Sequence, residues 1–347
     1  MTKVHTDITQ FRGSHYDYGY AQGIAIKNSP VLKNRQDSWR LRKPRFQSNE
    51  QEAKRVFMQF APGIWDEMLG LRDALEMPMN DVLRDFGHYR VNAKPSGCSI
   101  LTGADFMIRN YDYQPQTYDG RYSFFQPTDQ GNAIIGPTSR VTGRMDGMNE
   151  HGLSMGYNFM QRRKPGNGFV CHMIGRIILE TCATVDDAIQ LLKEIPHRGS
   201  FSYVVLDRSE TTYVIEASPR SVEVRQSNTC TNHFELLQHE NRHHLDDSRR
   251  RLDIIQQENK ASMNANDAFR LLNDTDKGVF SDLYKSWAGT IHTTAYFPKE
   301  LKTWFALGGN QEPVVFDFAS WLKGTDIAAE PIHGELDTHL GIANMQT

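Results

Sequence analysis

The hydrophobic pattern of this chain changes period near residue 98, and any fold it adopts has to accommodate that change. Upstream, Val56, Phe57, Phe60, Ile64, Met68, Leu69 and Leu71 recur at helical spacing, interrupted once by Pro62-Gly63. Val82, Leu83, Phe86 and Tyr89 mark one side of another helix starting at Asn80. Residues 1–97 are therefore expected to be mostly helical, after a short strand at 8–11. Ser14 with Asp17 caps the first helix, and Gly19 and Gly23 permit it to pack closely rather than stabilise it.

From residue 98 onward the texture is that of a sheet. Short apolar or alternating runs at 99–101, 106–110, 122–126, 133–136 and 153–160 are separated by Gly, Asp and Asn turns, and residues 146–153 have the turn composition of a hairpin. Helical periodicity returns at 169–192, restarted by a Thr184–Asp187 capping box. Strands follow at 202–206, 212–217 and 222–225, helices at 249–256 and 265–272, and strands at 289–297, 304–307 and 314–318. The polar tail after Gly324 is expected to be irregular. Sheets combined with helix layers point to a sandwich of the α+β class.

With 347 residues and 39% hydrophobic side chains, the chain can build a sizeable core without staples. A formal net charge of -3 gives no global basic field for nucleic acid or anionic membrane. The local run Arg40, Arg42, Lys43 and Arg45 is read as a solvated helix face. No apolar stretch resembles a signal peptide or a membrane span, so a soluble, cytoplasmic protein is expected. Cys98, Cys171, Cys182 and Cys230 are widely spaced without a CxxC pair, which predicts free, buried thiols and no disulfide or zinc framework.

Two stretches carry candidate chemistry. His239-Glu240-Asn241-Arg242-His243 matches the H-E-x-x-H pattern of zinc metallopeptidases, but its neighbours are polar on every side, whereas a zinc helix needs an apolar face beneath the metal. The second is Gly97-Cys98, where a turn runs into a cysteine on the first arm of a hairpin whose second arm carries Arg109 and Asp112. Cutting the bond before Cys98 would place a thiol and an α-amine on one residue. The amine, with a pKa of about 7.7 to 8.0, is matched to take a proton from a thiol near 8.5. Oxyanion donors and an orienting carboxylate or arginine would complete such a site, with Arg109, Asp112, Asn158, Asn232 and Arg249 as candidates.

Together these positions resemble the acyl-CoA:6-aminopenicillanate acyltransferase (isopenicillin N acyltransferase) family of Ntn hydrolases, related to choloylglycine hydrolases and penicillin V acylases. The resemblance rests on Phe11-Arg12-Gly13, Gly19, Gly23, Gly97-Cys98, Arg109-Asn110-Tyr111-Asp112, residues 147–153, Tyr157-Asn158, Thr231-Asn232-His233, Leu237-Gln238-His239 and Ser248-Arg249. It implies a four-layer αββα sandwich in which residues 1–97 form a pro-segment or α chain packed on a catalytic part, 98–347. It also implies self-cleavage between Gly97 and Cys98, followed by attack of Cys98 on a linear amide or thioester. Asp112 would then hold the α-amine, Arg249 would support the nucleophile, Asn232 and Asn158 would bind the oxyanion, and Arg109 would match an arginine of choloylglycine hydrolases. The interval from Asn149 to Asn158 is one residue shorter than in the bile-salt enzymes, so Tyr157 or Asn158 could face the site; the acyltransferase spacing fits Asn158.

The expected partner is a small acyl amide or acyl thioester, with no cofactor, metal, nucleic acid or membrane; homo-oligomer formation is left open. The alternatives are a zinc metallopeptidase using His239 and His243, and a non-catalytic Ntn scaffold that binds an acylated small molecule.

Overall fold

A computed structural model describes residues 1–42, 49–91, 96–160, 164–259, 263–285 and 288–345. The chain opens with strand β1 (Thr2–Gly13) and helices α1 (His15–Ile26), α2 (Pro30–Arg42), α3 (Glu50–Phe60), α4 (Pro62–Leu75) and α5 (Met79–Val82). Strands β2 (Gly97–Thr102), β3 (Met107–Tyr113), β4 (Arg121–Pro127), β5 (Ile134–Ser139), β6 (Gly143–Arg144), β7 (Asp146–Asn149) and β8 (Ser154–Phe159) follow. Next come α6 (Cys171–Thr181), α7 (Val185–Glu194), β9 (Phe201–Leu206), β10 (Thr212–Ala217), β11 (Val222–Gln226), β12 (Thr229–Cys230), α8 (Asp246–Glu258) and α9 (Ala265–Asn273). The chain closes with β13 (Gly289–Phe297), β14 (Lys302–Leu307), β15 (Val314–Asp317), α10 (Phe318–Leu322) and β16 (Ile332–Leu336).

These strands form a ten-stranded sheet, ordered β11-β10-β9-β8-β7-β5-β4-β1-β16 with β6 beside β5, and a six-stranded sheet, β12-β2-β3-β13-β14-β15. Alternation along β2 and β3 fixes the layering. Ile100 and Met107 pack against Val204, Leu206 and Val214 of the large sheet, whereas Leu101 and Ile108 pack against Ile255, Phe269 and Leu272 of α8 and α9. On the far face of the large sheet, Ile174, Ile177 and Leu192 of α6 and α7 cover Met155, Tyr203 and Val205. The result is a four-layer αββα sandwich.

The amino-terminal segment is woven into these layers. β1 lies within the large sheet, parallel to β4 and antiparallel to β16. α1 crosses α4 so closely that a Cβ on Gly19 would sit 2.0 Å from the Glu67 carbonyl oxygen, and one on Gly70 2.1 Å from that of Tyr16. A buried charge cluster ties this pair to α6: Arg176 Nη2 reaches Glu67 at 2.9 Å, Arg176 Nε donates to Glu180 at 2.6 Å, and Gln22 donates to Glu67 at 2.7 Å.

Three expectations need correction. The helix from Asn80 does not reach Tyr89: α5 continues as a π-helical turn over Leu83–Gly87, and His88 at φ 50 turns the chain so that Tyr89 bridges Phe169. The tail after Gly324 is not wholly irregular, because β16 supplies the edge partner that β1 needs. Among the described residues of segment 1–97 the regular elements are helices apart from Gly97 of β2 and from β1, which runs for twelve residues rather than the short stretch expected. Lys43, Arg45 and the side chains of Arg40 and Arg42 lie outside the described residues, as does Pro95, and Gly97-Cys98 begins strand β2. Among the described residues no helix is long and apolar enough to cross a membrane.

Candidate active site

β2 and β3 form the hairpin expected from the sequence, with Cys98 opposite Tyr111 and Gly97 opposite Asp112. Cys98 shares the inter-sheet face with Ile100, and Gly97 and Ser99 share the face toward α8 and α9. β12 pairs only with Ile100 and Leu101, so the ladder on that edge ends before Cys98. Side chains continue it. The Cys98 N–H donates to Asn232 Oδ1 at 2.8 Å, and the Cys98 carbonyl accepts from Arg251 Nη1 at 2.8 Å. Buried main-chain groups require partners, and here the partners are two side chains rather than a strand.

The thiol is fully buried between the sheets and contacts one cation. Arg109 Nη2 donates to Cys98 Sγ at 3.2 Å and to the Tyr157 carbonyl at 2.7 Å. Its Nη1 pairs with Asp146 Oδ2 of β7 at 2.5 Å, and the rings of Tyr111 and Tyr157 flank the guanidinium at 5.0 and 5.1 Å. Asp146 is held in turn by Thr294 at 3.2 Å and by the Tyr296 hydroxyl. Asp146 is thus a positioning residue that sequence reasoning missed: beside Gly147 it reads as part of a turn, and only the stacking of two sheets brings it to Arg109. Burial pushes the Cys98 thiol up to about 11, with Arg109 opposing, so the thiol is protonated at neutral pH in the uncut chain.

Asp112 lies under the bond preceding Cys98. Its Oδ1 accepts from Thr290 Oγ1 at 2.7 Å, while Oδ2 is buried and has no hydrogen-bond partner among the described residues. A Cβ on residue 97 would lie 3.0 Å from that oxygen, so glycine leaves room for the carboxylate. Burial raises the Asp112 carboxyl to about 6, with Arg251 and the Thr290 hydrogen bond opposing.

Asn232 and Arg251 complete the cluster. Asn232 Nδ2 donates to the Phe159 carbonyl at 3.1 Å and, at 3.4 Å, to that of Ser96, and its N–H donates to Ser248 Oγ at 2.7 Å. Arg251 donates to Ser99 Oγ at 2.6 Å, Asn232 Oδ1 at 2.9 Å and Asp247 Oδ2 at 2.8 Å.

The fold therefore brings Cys98, Gly97, Arg109, Asp112 and Asn232 together. It does not bring Arg249, which is exposed and lines a polar surface cavity of ≈ 640 Å³ with His233, Arg242 and His243. Arg251 stands in the place expected for Arg249. Asn158 shares the face of Gly156, which looks onto Ile100 and Arg109, but both of its amide hydrogens are committed to the carbonyls of Cys230 at 3.0 Å and Thr231 at 3.1 Å. Tyr157 packs its ring into the helix-side core while one ring face stays 5.1 Å from the Arg109 guanidinium, and it is the Tyr157 carbonyl that accepts from Arg109.

The H-E-x-x-H stretch is not a helical zinc motif. Residues 238–240 form a single 3₁₀ turn followed by extended Asn241, and Glu240 is buried in a bidentate pair with Arg220 at 2.5 and 2.7 Å. Among the described residues no group of three His, Cys, Asp or Glu side chains is placed to hold a metal.

Residues 101–312 match the family described as acyl-coenzyme A:6-aminopenicillanic acid acyl-transferase, a stretch that contains Arg109, Asp112, Asn158, Asn232 and Arg251. The chain belongs to this family. It is thereby an enzyme of the acyl-transferase class. Among solved structures, a mutant of the conjugated bile acid hydrolase from Clostridium perfringens is similar at 13% identity and a TM-score of 0.45, covering 72% of this chain and 100% of that one. Penicillin V acylase from Agrobacterium tumefaciens is similar at 12% identity and 0.41, covering 63% and 84%. The Caenorhabditis elegans ortholog of N-acylethanolamine-hydrolyzing acid amidase is similar at 12% and 0.41, covering 60% and 99%. No curated protein sequence matches the chain.

Proposed function

We propose that this acyltransferase-family enzyme works through Cys98 as an amino-terminal nucleophile, released by cleavage of the Gly97–Cys98 bond, on a linear amide or thioester. The observation that carries the reading is the convergence on one residue: Arg109 on its sulfur, Asn232 on its N–H, Arg251 on its carbonyl, and an unpartnered Asp112 oxygen beside the bond before it. In processing, Sγ attacks the Gly97 carbonyl, the Cys98 nitrogen leaves with the thiol proton, and water hydrolyses the thioester to give a Gly97 carboxylate and a free Cys98 amine. The buried Asp112 oxygen then accepts from that amine, whose charge offsets the cost of burying the carboxylate.

In turnover, the amine takes the thiol proton, Sγ adds to the substrate carbonyl, and the proton passes to the leaving amine or thiol. Water or an acceptor amine then resolves the acyl-Cys98 thioester. Cleavage removes the hold of Ser96 on Asn232 Nδ2, which leaves that N–H free to meet the oxyanion. Asn158 can serve as a second donor only by releasing the Cys230 or Thr231 carbonyl, and in the uncut chain it braces the segment leading to Asn232 instead. Arg109 stabilises the thiolate, and Arg251 holds the main chain of the nucleophile in register.

Cys98→Ala is expected to be uncut and to have no amide-hydrolase or acyl-transfer activity on a panel of acyl amino acids and acyl thioesters. Wild-type activity surviving in Cys98→Ala would remove the thiol from the mechanism.

A further inference from the structure

His292 of β13 is wholly buried, and neither of its ring nitrogens has a hydrogen-bond partner among the described residues. An orphaned polar group in the interior is costly and needs a reason. Its position follows from a bulge. β13 pairs Thr290 with Asp112 and His292 with Tyr111, so Ile291 is an extra residue in the ladder. In an unbroken strand Thr290 and His292 would share one face, whereas Asp112 and Tyr111, consecutive on β3, point to opposite faces. The bulge lets Thr290 meet Asp112 on the helix side while His292 stacks on Tyr111, the residue opposite Cys98, at 5.1 Å and 14°.

The ring approaches Asp146. His292 Nε2 stands 3.6 Å from Asp146 Oδ2, the oxygen that also takes Arg109 Nη1 at 2.5 Å, while Oδ1 takes Thr294 and Tyr296. Imidazole, carboxylate, guanidinium and sulfur thus form a continuous line, closed by Arg109 Nη2 on Cys98 Sγ at 3.2 Å. The other titratable groups facing the ring are the phenols of Tyr111 and, at 6.1 Å, Tyr118, both kept protonated by burial. Phe305 of β14 packs 5.1 Å away. Burial lowers the imidazole below its ordinary range, with Asp146 opposing and Arg109 assisting, so at neutral pH the ring is uncharged and carries one N–H.

A guanidinium wholly committed to a carboxylate presents little net charge to a third group. An N–H directed at Oδ2 draws on the same carboxylate and leaves more of the Arg109 charge for the sulfur. We infer that His292 is a positioning residue which, through Asp146, governs how much of the Arg109 charge reaches Cys98. The inference rests on the reading of Cys98 as the nucleophile and extends its support across the sheet to β13.

The test compares wild type with His292→Phe, which keeps a ring on Tyr111 but removes the N–H, and with His292→Gln, which supplies an N–H again. Alkylation of Cys98 by iodoacetamide as a function of pH, followed by mass analysis of the Cys98 peptide, reads the thiol directly. His292→Phe should raise the apparent thiol pKa by about half a unit to one unit and lower kcat on p-nitrophenyl acetate about tenfold, with KM within about twofold. His292→Gln should recover most of both losses, and His292→Met carries the same expectation as His292→Phe if the latter does not fold. An unchanged thiol pKa in the Phe or Met variant, or a Gln variant no better than either, would overturn the role of His292 and leave the nucleophile reading intact. A wild-type Cys98 inert to iodoacetamide at every pH would overturn it too. A raised thiol pKa in His292→Phe, together with esterase activity that survives Cys98→Ala, would uphold the charge line and count against Cys98 as the nucleophile.

Discussion

Arg249 and Arg251 stand two positions apart on α8, about 200° around a helix, so only one of them can face the nucleophile. Sequence reading placed Arg249 there; the helical phase of Ser248, Arg251, Leu252 and Ile255, all buried, selects Arg251. Arg251→Met should lower kcat/KM by roughly a hundredfold and slow processing, because it strips the Cys98 carbonyl and Asn232 of a charged donor. Arg249→Met should stay within about twofold. Steady-state assays of the two variants side by side settle the assignment. Asp112 gives a second residue-level prediction. A carboxyl whose pKa rises on folding binds its proton more tightly in the folded chain, so uncut protein loses stability as pH rises from about 4 to about 6. In a Cys98→Ala background, adding Asp112→Asn should remove that loss, making the double variant more stable by about 2 to 3 kcal/mol above pH 6, with the two converging near pH 4. Urea denaturation across that range reads it. Gly97-Cys98 was legible because a turn leading into a cysteine is local information. Asp146 was not, because its role exists only across two layers.

At the scale of elements, local signals carried far when they were complete. The Thr184–Asp187 capping box starts α7 as written, and Pro62 occupies the first turn of α4, where the missing N–H does no harm. β16 escaped notice because Ile332, Gly334 and Leu336 form too sparse an alternation to mark a strand until β1 is known to lie beside it. The Gly19 and Gly70 positions show the opposite case, in which a helix tolerates weak formers because a neighbour's backbone fills the space of a Cβ. Gly19→Ala should separate α1 from α4, strain the Gln22–Glu67–Arg176 cluster and cost about 3 kcal/mol or more of stability by chemical denaturation. A change under about 0.5 kcal/mol would mean that the crossing is looser than it stands here.

For the whole molecule, the mix of strand and helix periods pointed to a sandwich, the family resemblance implied two sheets between helix layers, and the structure has them. What the sequence did not convey is how fully residues 1–97 belong to those layers: β1 lies inside the large sheet, and α1 and α4 share one hydrophobic core with α6 and α7. A cut before Cys98 would therefore leave two pieces held together by a strand pairing, a buried charge cluster and a common core. The candidate site, by contrast, is sealed in the uncut chain, with Cys98 and Arg109 wholly buried. The central claim, that Cys98 becomes an amino-terminal nucleophile, meets its most direct test in intact-mass analysis of native-purified wild type, before and after brief exposure to an acyl p-nitrophenyl ester. The account predicts two masses, 1–97 and 98–347, with one acyl group added to the second; a single uncut mass, or an adduct on any residue other than Cys98, would contradict it.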